Sequence, residues 1–389
     1  MNKYPEYQAY KKLSYWQPLH KNVPLNTIIP RNNEYYPILK FYYKKVMKLY
    51  ETLPLRKNGE QTFLHPLNIM HFLQKGSVEN QKVDEITLLV GLLHDYLEEI
   101  IELYQKREGL HNTDKKLLDY QNKVFNSFQA ELYEFCRENN YSPTVATQVM
   151  DVLILVTKRV EDTYYIYVSR IFNSKNKIAQ ERAILVKLSD RIHNILCIEC
   201  FNKRERIYQC FKNLFILNNV KKYLLKRYTY KMWNGKINNL TEMFFNKCIK
   251  ATHDAFFTIT HDSVVPKYNL SSMLQMAFKK FSVLDSGLEI VPLLKNEELH
   301  LVRLYQGIIR KYDYLLHHEI DEFKDAVENE RDYCQHFFIN YKLTNKEIHK
   351  IIDYKDAYYL KEYLARLLYK PKYYMSGFIS SELLKNRII

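Results

Sequence analysis

Two apolar segments of this chain carry charges that a buried helix does not tolerate without compensation. The first, Ile86–Ile100, reads I-T-L-L-V-G-L-L-H-D-Y-L-E-E-I and holds His94, Asp95, Glu98 and Glu99. Apolar residues surround it on nearly every side, which predicts a single buried helix. Neighbours on a helix lie three and four residues apart, so His94 would face Glu98, and Asp95 would face both Glu98 and Glu99. Burying three carboxylates together costs on the order of several kcal/mol unless something positive compensates. A divalent cation would remove that cost. The second segment, Ala183–Cys200, is also apolar on most faces but is interrupted by Lys187, Asp190, Arg191 and Asn194. Asp190 and Asn194 share a face, so Asp190 is a candidate metal ligand, with Asn194 reaching past it toward a substrate hydroxyl. A buried Asp190–Lys187 or Asp190–Arg191 ion pair accounts for the same residues without a metal.

The elements that must position these residues read as helices. Ile38–Leu53 has a helical pattern and stops at Pro54. A loop with Gly59 follows, and His65-Pro66 opens a helix to about Gln74, Pro66 suiting a first-turn position. Ser142-Pro143 has the form of an N-cap followed by a first-turn proline, starting a helix to about Lys158. Tyr164–Phe172 and Ile178–Cys200 complete the set, and no alternating strand pattern occurs before residue 205. Beyond it, Lys203–Lys231 is basic and helical, broken near Asn234-Gly235, and Ala255–Val265 is predicted as a short strand. Helices are expected at Leu270–Phe281, Glu297–His318, Glu319–Tyr341 and Tyr354–Tyr369, and Thr344 with Glu347 makes a capping-box pattern.

Three stretches carry a resemblance: R-K-N-G-E-Q-T-F-L-H-P at 56–66, L-L-H-D-Y-L-E-E at 92–99 and V-K-L-S-D-R-I-H-N at 186–194. In wording, order and spacing they resemble the hydrolase domain of the RelA/SpoT family, over about residues 35–205. The resemblance implies an all-α, HD-superfamily hydrolase domain at 35–205. A leader at 1–34 would precede it, and a helical extension at 206–389 would follow. It implies manganese, with iron or another divalent ion as alternatives, held by His65, His94, Asp95 and Asp190. Glu98 and Glu99 would position or deprotonate the attacking water, Arg56 would lie against the nucleobase, and Asn194 would touch the nucleoside. Lys158 and Tyr167 match further family stretches and count as substrate-binding candidates. Lys57 adds positive charge beside Arg56. The implied reaction removes the 3′-pyrophosphate of guanosine tetra- or pentaphosphate, leaving GDP or GTP. Two departures stand out: Glu98-Glu99-Ile100 replaces the usual Glu-Asp-Thr, and Cys197 stands where threonine is common. No synthetase motif follows residue 210, so a hydrolase without synthesis is expected.

Composition bounds the alternatives. The 389 residues are 47% hydrophobic with only 8 glycines and 11 prolines, which fits packed helices. No apolar run reaches the roughly 20 residues of a membrane span, and Met1–Tyr10 lacks a signal-peptide pattern. Six scattered cysteines suit a reducing compartment, so the cytoplasm is expected. The net charge is +14, and residues 201–250 supply most of it, with twelve lysines and arginines against two acids. A solvated face is the plain reading of that run. Steering of a polyanionic nucleotide comes next, and nucleic-acid binding third, since no recognised module accompanies the charge.

Other signals are discounted. His253-Asp254 and His261-Asp262 lack carboxylates at helical spacing. His317 and His318 sit among solvated charges, Cys197 and Cys200 have no partner pair, and His71 and His193, without a matched role, read as satisfied core groups or supports to the ligands. Within the same chemistry the competitor is a hydrolase of an adenosine alarmone or of NADPH. From a different class, a nucleotide-sensing or RNA-binding regulator competes, although sensing alone does not need Glu98 and Glu99. The extension is expected to pack on the hydrolase domain or to support a homo-oligomer.

Overall fold

The computed structural model describes residues 11, 15–76, 83–227, 239–261, 328 and 331–375. All regular structure among these residues is helical, with no strand. The principal helices are α1 (Tyr36–Tyr50), α2 (Leu64–Lys75), α3 (Glu85–Leu93), α4 (Tyr96–Glu108), α5 (Lys115–Glu138), α6 (Pro143–Val156), α7 (Tyr164–Asn173) and α8 (Lys177–Leu196). They continue with α9 (Lys203–Arg227), α10 (Leu240–Asp254), α11 (Phe256–His261) and α12 (Asn345–Tyr369). None is long and apolar enough to cross a membrane among the described residues. The chain divides into two compact units. One contains Ser14–Asn194 and Lys226–Cys248; the other contains Met1–Leu13, Ile195–Leu225 and Ile249–Ile389.

In the first unit, local chemistry sets the helix starts. Pro37 lies in the first turn of α1, where its missing N–H costs nothing. Asp84 caps α3, accepting from the backbone N–H and the hydroxyl of Thr87, both at 2.7 Å. Ser142 caps α6 and Thr163 caps α7 through their hydroxyls. Residues 15–34, expected to be irregular, form only a short 3-10 turn at Leu25–Thr27. They still belong to the core: Leu25, Ile28 and Ile29 are buried. Buried Asn68 on α2 ties this segment down. Its amide accepts from the Leu19 N–H at 2.6 Å and donates to the Leu19 carbonyl at 3.0 Å.

The expected single helix over Ile86–Ile100 is two helices. Its chain breaks at His94-Asp95, where Asp95 has φ −104° and ψ −3°, and α4 then runs on to Gly109 in the left-handed conformation (φ 62°). Glycine meets no steric penalty there, so the helix stops cleanly. The break turns His94 and Asp95 out of one continuous ladder, which periodicity alone does not reveal.

Gly91 lets α3 approach α2 closely. A Cβ at this position would lie 2.6 Å from Leu73 Cδ1 and 3.5 Å from Ile69 Cγ2. Leucine favours helix over glycine by about 1 kcal/mol, so any loss in Gly91→Leu must come from the interface. We expect that variant to be destabilised by about 1–3 kcal/mol, the usual cost of overpacking, seen as a lower midpoint in thermal denaturation. An unchanged or raised midpoint would mean that the α2–α3 interface has room to spare.

In the second unit, α9 is mostly internal. Arg206 and Lys221 are buried, which corrects the expectation of a solvated face at these two positions. The Arg206 guanidinium donates to the carbonyls of Phe201 (2.8 Å) and Glu199 (3.1 Å). Lys221 Nζ donates to the carbonyls of Leu367 (2.6 Å) and Lys370 (3.2 Å), closing the C-terminal end of α12 where the helix dipole favours a cation. Part of the sequence's positive excess is therefore spent on structure. Lys203, Arg204, Lys226 and Arg227 of the same run are exposed.

The strand expected over Ala255–Val265 is instead helical across Phe256–His261, with 262–265 outside the described residues. Its β-branched T-I-T run suggested a strand. The hydroxyl of Thr260 donates to the Phe256 carbonyl (2.7 Å), a bond that a helix offers and a strand does not. Thr344 and Glu347 form the expected capping box at the start of α12, which begins earlier than the expected Tyr354. The helices expected at Leu270–Phe281 and Glu297–His318 lie outside the described residues, as does much of Glu319–Tyr341.

Candidate metal centre

The site is assembled by three helices of the first unit and the break between α3 and α4. α2 begins at Leu64 and carries His65 in its first turn, α3 delivers His94 at its end, the break presents Asp95, and α8 contributes Asp190. The close α2–α3 packing at Gly91 sets the distance between the two imidazoles. His65 Nε2 lies 3.3 Å from His94 Nε2. It lies 3.4 Å from both Asp95 Oδ2 and Asp190 Oδ1, and His94 Nε2 lies 3.0 Å from Asp95 Oδ2. His65, His94 and Asp190 are buried and each offers a ligand atom, all within 4.8 Å of one another. The Asp95 side chain is 27% exposed, so solvent reaches the cluster on its side.

The donor set suits a divalent cation. His94 Nδ1 lies 2.9 Å from the Gly91 carbonyl. A carbonyl only accepts, so the His94 ring donates from Nδ1 and, when neutral, keeps its Nε2 lone pair toward the cluster. Two imidazole nitrogens and two carboxylates make a borderline-hard site, suited to manganese, iron or zinc. A further surface cavity, of about 930 Å³ and lined by Tyr133, Glu134, Arg137 and Tyr141 among others, shares no residue with this cluster.

Charge is divided unequally among the acids. Burial works against the ionised form of Asp190, but Lys187, with Nζ at 2.7 Å from Asp190 Oδ2, and His65 hold it well below the usual carboxylate range. The ion pair weighed as the plain reading of this segment is therefore present. It leaves Oδ1 facing the imidazoles. Lys187 in turn resists burial because Asp190 holds its proton, and its Nζ sits 5.0 Å above the Tyr167 ring. Asp95 is likewise lowered, the cost of its partial desolvation outweighed by the neighbouring imidazoles of His94 and His65. His94 is raised, Asp95 outweighing burial.

The two glutamates shift the other way from the aspartates. Burial, reinforced by Asp95, pushes Glu98 up to about 8 and Glu99 up to about 7. Glu98 Oε1 accepts from the Lys158 backbone N–H, so the segment after α6 pins this carboxylate. That segment is itself braced, since Asp162 accepts from Arg159 N–H at 3.0 Å and pairs with Arg170.

The remaining expected residues fall around the cluster in different ways. Arg56 sits in a turn in which the Gly59 N–H donates to the Arg56 carbonyl (2.8 Å), with Gly59 at φ 80°. Its Nη2 donates to Asn194 Oδ1 at 3.3 Å, and Asn194 Nδ2 donates to Asp190 Oδ1, so Asn194 links the basic turn to the cluster. Lys57 is exposed on the same turn, and Lys158 is half-buried. Tyr167 is buried with its hydroxyl donated to the Val156 carbonyl at 2.6 Å, beneath Lys187 and not at the surface.

The sequence gives no place to Tyr50, and leaves His193 as a core group or a support to the ligands. The Tyr50 hydroxyl, buried at the end of α1, is pushed up by burial and by Asp95, Glu99 and Glu98. His193 Nδ1 lies 2.9 Å from His65 Nδ1. Its spacing of three from Asp190 on an α-helix is the one signal that could have marked it. Comparison with family models, with curated proteins and with solved structures gives no match.

Proposed function

We propose that this protein is an HD-superfamily phosphohydrolase that removes the 3′-pyrophosphate of guanosine tetra- or pentaphosphate, without synthesis. The observation that carries the reading is the convergence of His65, His94 and Asp190, from separate stretches of the chain, on one point, with Asp95 beside the two imidazoles at 3.4 and 3.0 Å. These four would hold manganese, or iron or another divalent ion, which when bound supplies Lewis-acid polarisation of a phosphoryl oxygen and a water of lowered pKa. Glu98, oriented by the Lys158 N–H, would accept the proton of the attacking water, with Glu99 beside it as a second carboxylate. Arg56 and Lys57 would bring positive charge to the polyphosphate and a planar guanidinium to the purine. Arg56 already touches Asn194, so the nucleoside would enter over that pair.

The competing readings share the same site. An adenosine alarmone or NADPH would meet the same four ligands, and a nucleotide sensor would bind without turnover. The test is to incubate the manganese-loaded full chain with guanosine tetraphosphate, its adenosine analogue and NADPH, and to separate the products. GDP and pyrophosphate from the guanosine compound, at the highest kcat/KM of the three, is the expected result. Consumption of NADPH alone would refute the alarmone assignment and leave the phosphohydrolase. Binding of all three without products would leave a sensor.

A further inference from the structure

We propose that His193 is a positioning residue that fixes the tautomer and rotation of His65, so that the Nε2 lone pair of His65 faces the cluster. The inference rests on the metal-binding reading and adds to it a residue outside the ligand set. His193 is fully buried on α8. Its ring lies 4.9 Å from that of His65 at 49°, and the two Nδ1 atoms are 2.9 Å apart. Two imidazole nitrogens at that separation share one proton, one donating and the other accepting.

Which one donates follows from the opposite edge of His65. Its Nε2 points at His94 Nε2, Asp190 Oδ1 and Asp95 Oδ2. A neutral His65 that gives this lone pair to a cation carries its proton on Nδ1. His193 Nδ1 is then the acceptor, and the proton of His193 sits on Nε2. His94 reaches the same state through a backbone carbonyl, that of Gly91, which only accepts. His65 depends instead on a side chain that exists in two tautomers, held in place by ring packing on Phe72 at 6.1 Å. An outer hydrogen-bond partner of this kind orients a ligating imidazole and raises its basicity.

Two variants separate the hydrogen bond from the packing. His193→Phe keeps the ring against Phe72 and removes the acceptor, whereas His193→Gln keeps an acceptor oxygen. Calorimetric titration of the full chain with Mn²⁺ is expected to show affinity lower by about 10–100-fold in the phenylalanine variant, the usual loss for an outer-shell partner. The glutamine variant should stay close to wild type, and the metal-free unfolding midpoints of both should stay near that of wild type. Wild-type affinity in His193→Phe, or equal loss in both variants, overturns the proposal. ¹⁵N-histidine spectra of the zinc-loaded wild type provide a readout that does not need either variant to fold. They should show His65 protonated at Nδ1, and protonation at Nε2 overturns the assignment. A wild-type chain that takes up neither Mn²⁺ nor Zn²⁺ removes the metal-binding reading itself, an outcome distinct from a metal-loaded chain indifferent to His193.

Discussion

Glu98→Gln is expected to lower turnover of guanosine tetraphosphate by about 100-fold or more while leaving the metal in place, the usual scale for losing general acid–base assistance. Glutamine keeps the size and the acceptor oxygen that takes the Lys158 N–H, so the loop after α6 should stay anchored. It cannot take a proton from water. Burial and Asp95 push the Glu98 carboxyl up toward its neutral form when the site lacks a cation, so the substitution should cost little in metal-free stability, and the loss should fall in kcat, not KM. Equal turnover in the variant would make Glu98 a spectator. Glu99, which burial and Asp95 raise less far, would then be the candidate, and Glu99→Gln the next measurement.

The second large effect belongs to Asp190→Ala. Two losses coincide at this position. Oδ1 faces the imidazole of His65, so its removal takes one of the four converging groups out of the site. Oδ2 holds Lys187, whose side chain is only 9% exposed, so its removal leaves a buried ammonium without its carboxylate. Breaking a buried pair from one side typically costs about 3–5 kcal/mol. We therefore expect both failure to retain a divalent ion in elemental analysis and a large drop in the midpoint of chemical denaturation. Asp190→Ala combined with Lys187→Met separates the two losses, because it removes the stranded charge along with its partner. The double variant should recover much of the stability and none of the metal. Full metal occupancy in Asp190→Ala would take Asp190 out of the ligand set, and an unchanged midpoint would show that water reaches Lys187.

Much of the helical architecture was readable along the chain because its causes are local. Ser142-Pro143 and the Thr344–Glu347 box start helices through bonds between residues two or three apart, whereas α1 ends at Tyr50, short of the Leu53 expected before Pro54. The misreadings have equally definite causes. One apolar pattern runs through Ile86–Ile100 whether or not the backbone turns at Asp95, since burial on all sides does not record a break. The β-branched T-I-T run at 258–260 favours a strand by local propensity, while its helical hydrogen bond lies four residues back.

The order of residues alone marks which of them are out of place. Carboxylates and histidines set among apolar side chains at 86–100 and 183–200 announce a buried polar centre, because desolvation makes such residues costly without a partner. Tertiary structure decided who those partners are. His65 and Asp190 stand 125 positions apart in the sequence, and only the packing of α2, α3 and α8 brings their side chains to 3.4 Å. The same packing decided that Asp190 divides its two oxygens between Lys187 and the imidazoles, and that His193 meets His65. In the second unit, tertiary structure likewise turned Lys221 of the basic run inward, to the end of α12. Helical period and capping act over a few residues and are written into their order. Convergence of side chains depends on which helix faces pack together, and that is settled by the whole core at once.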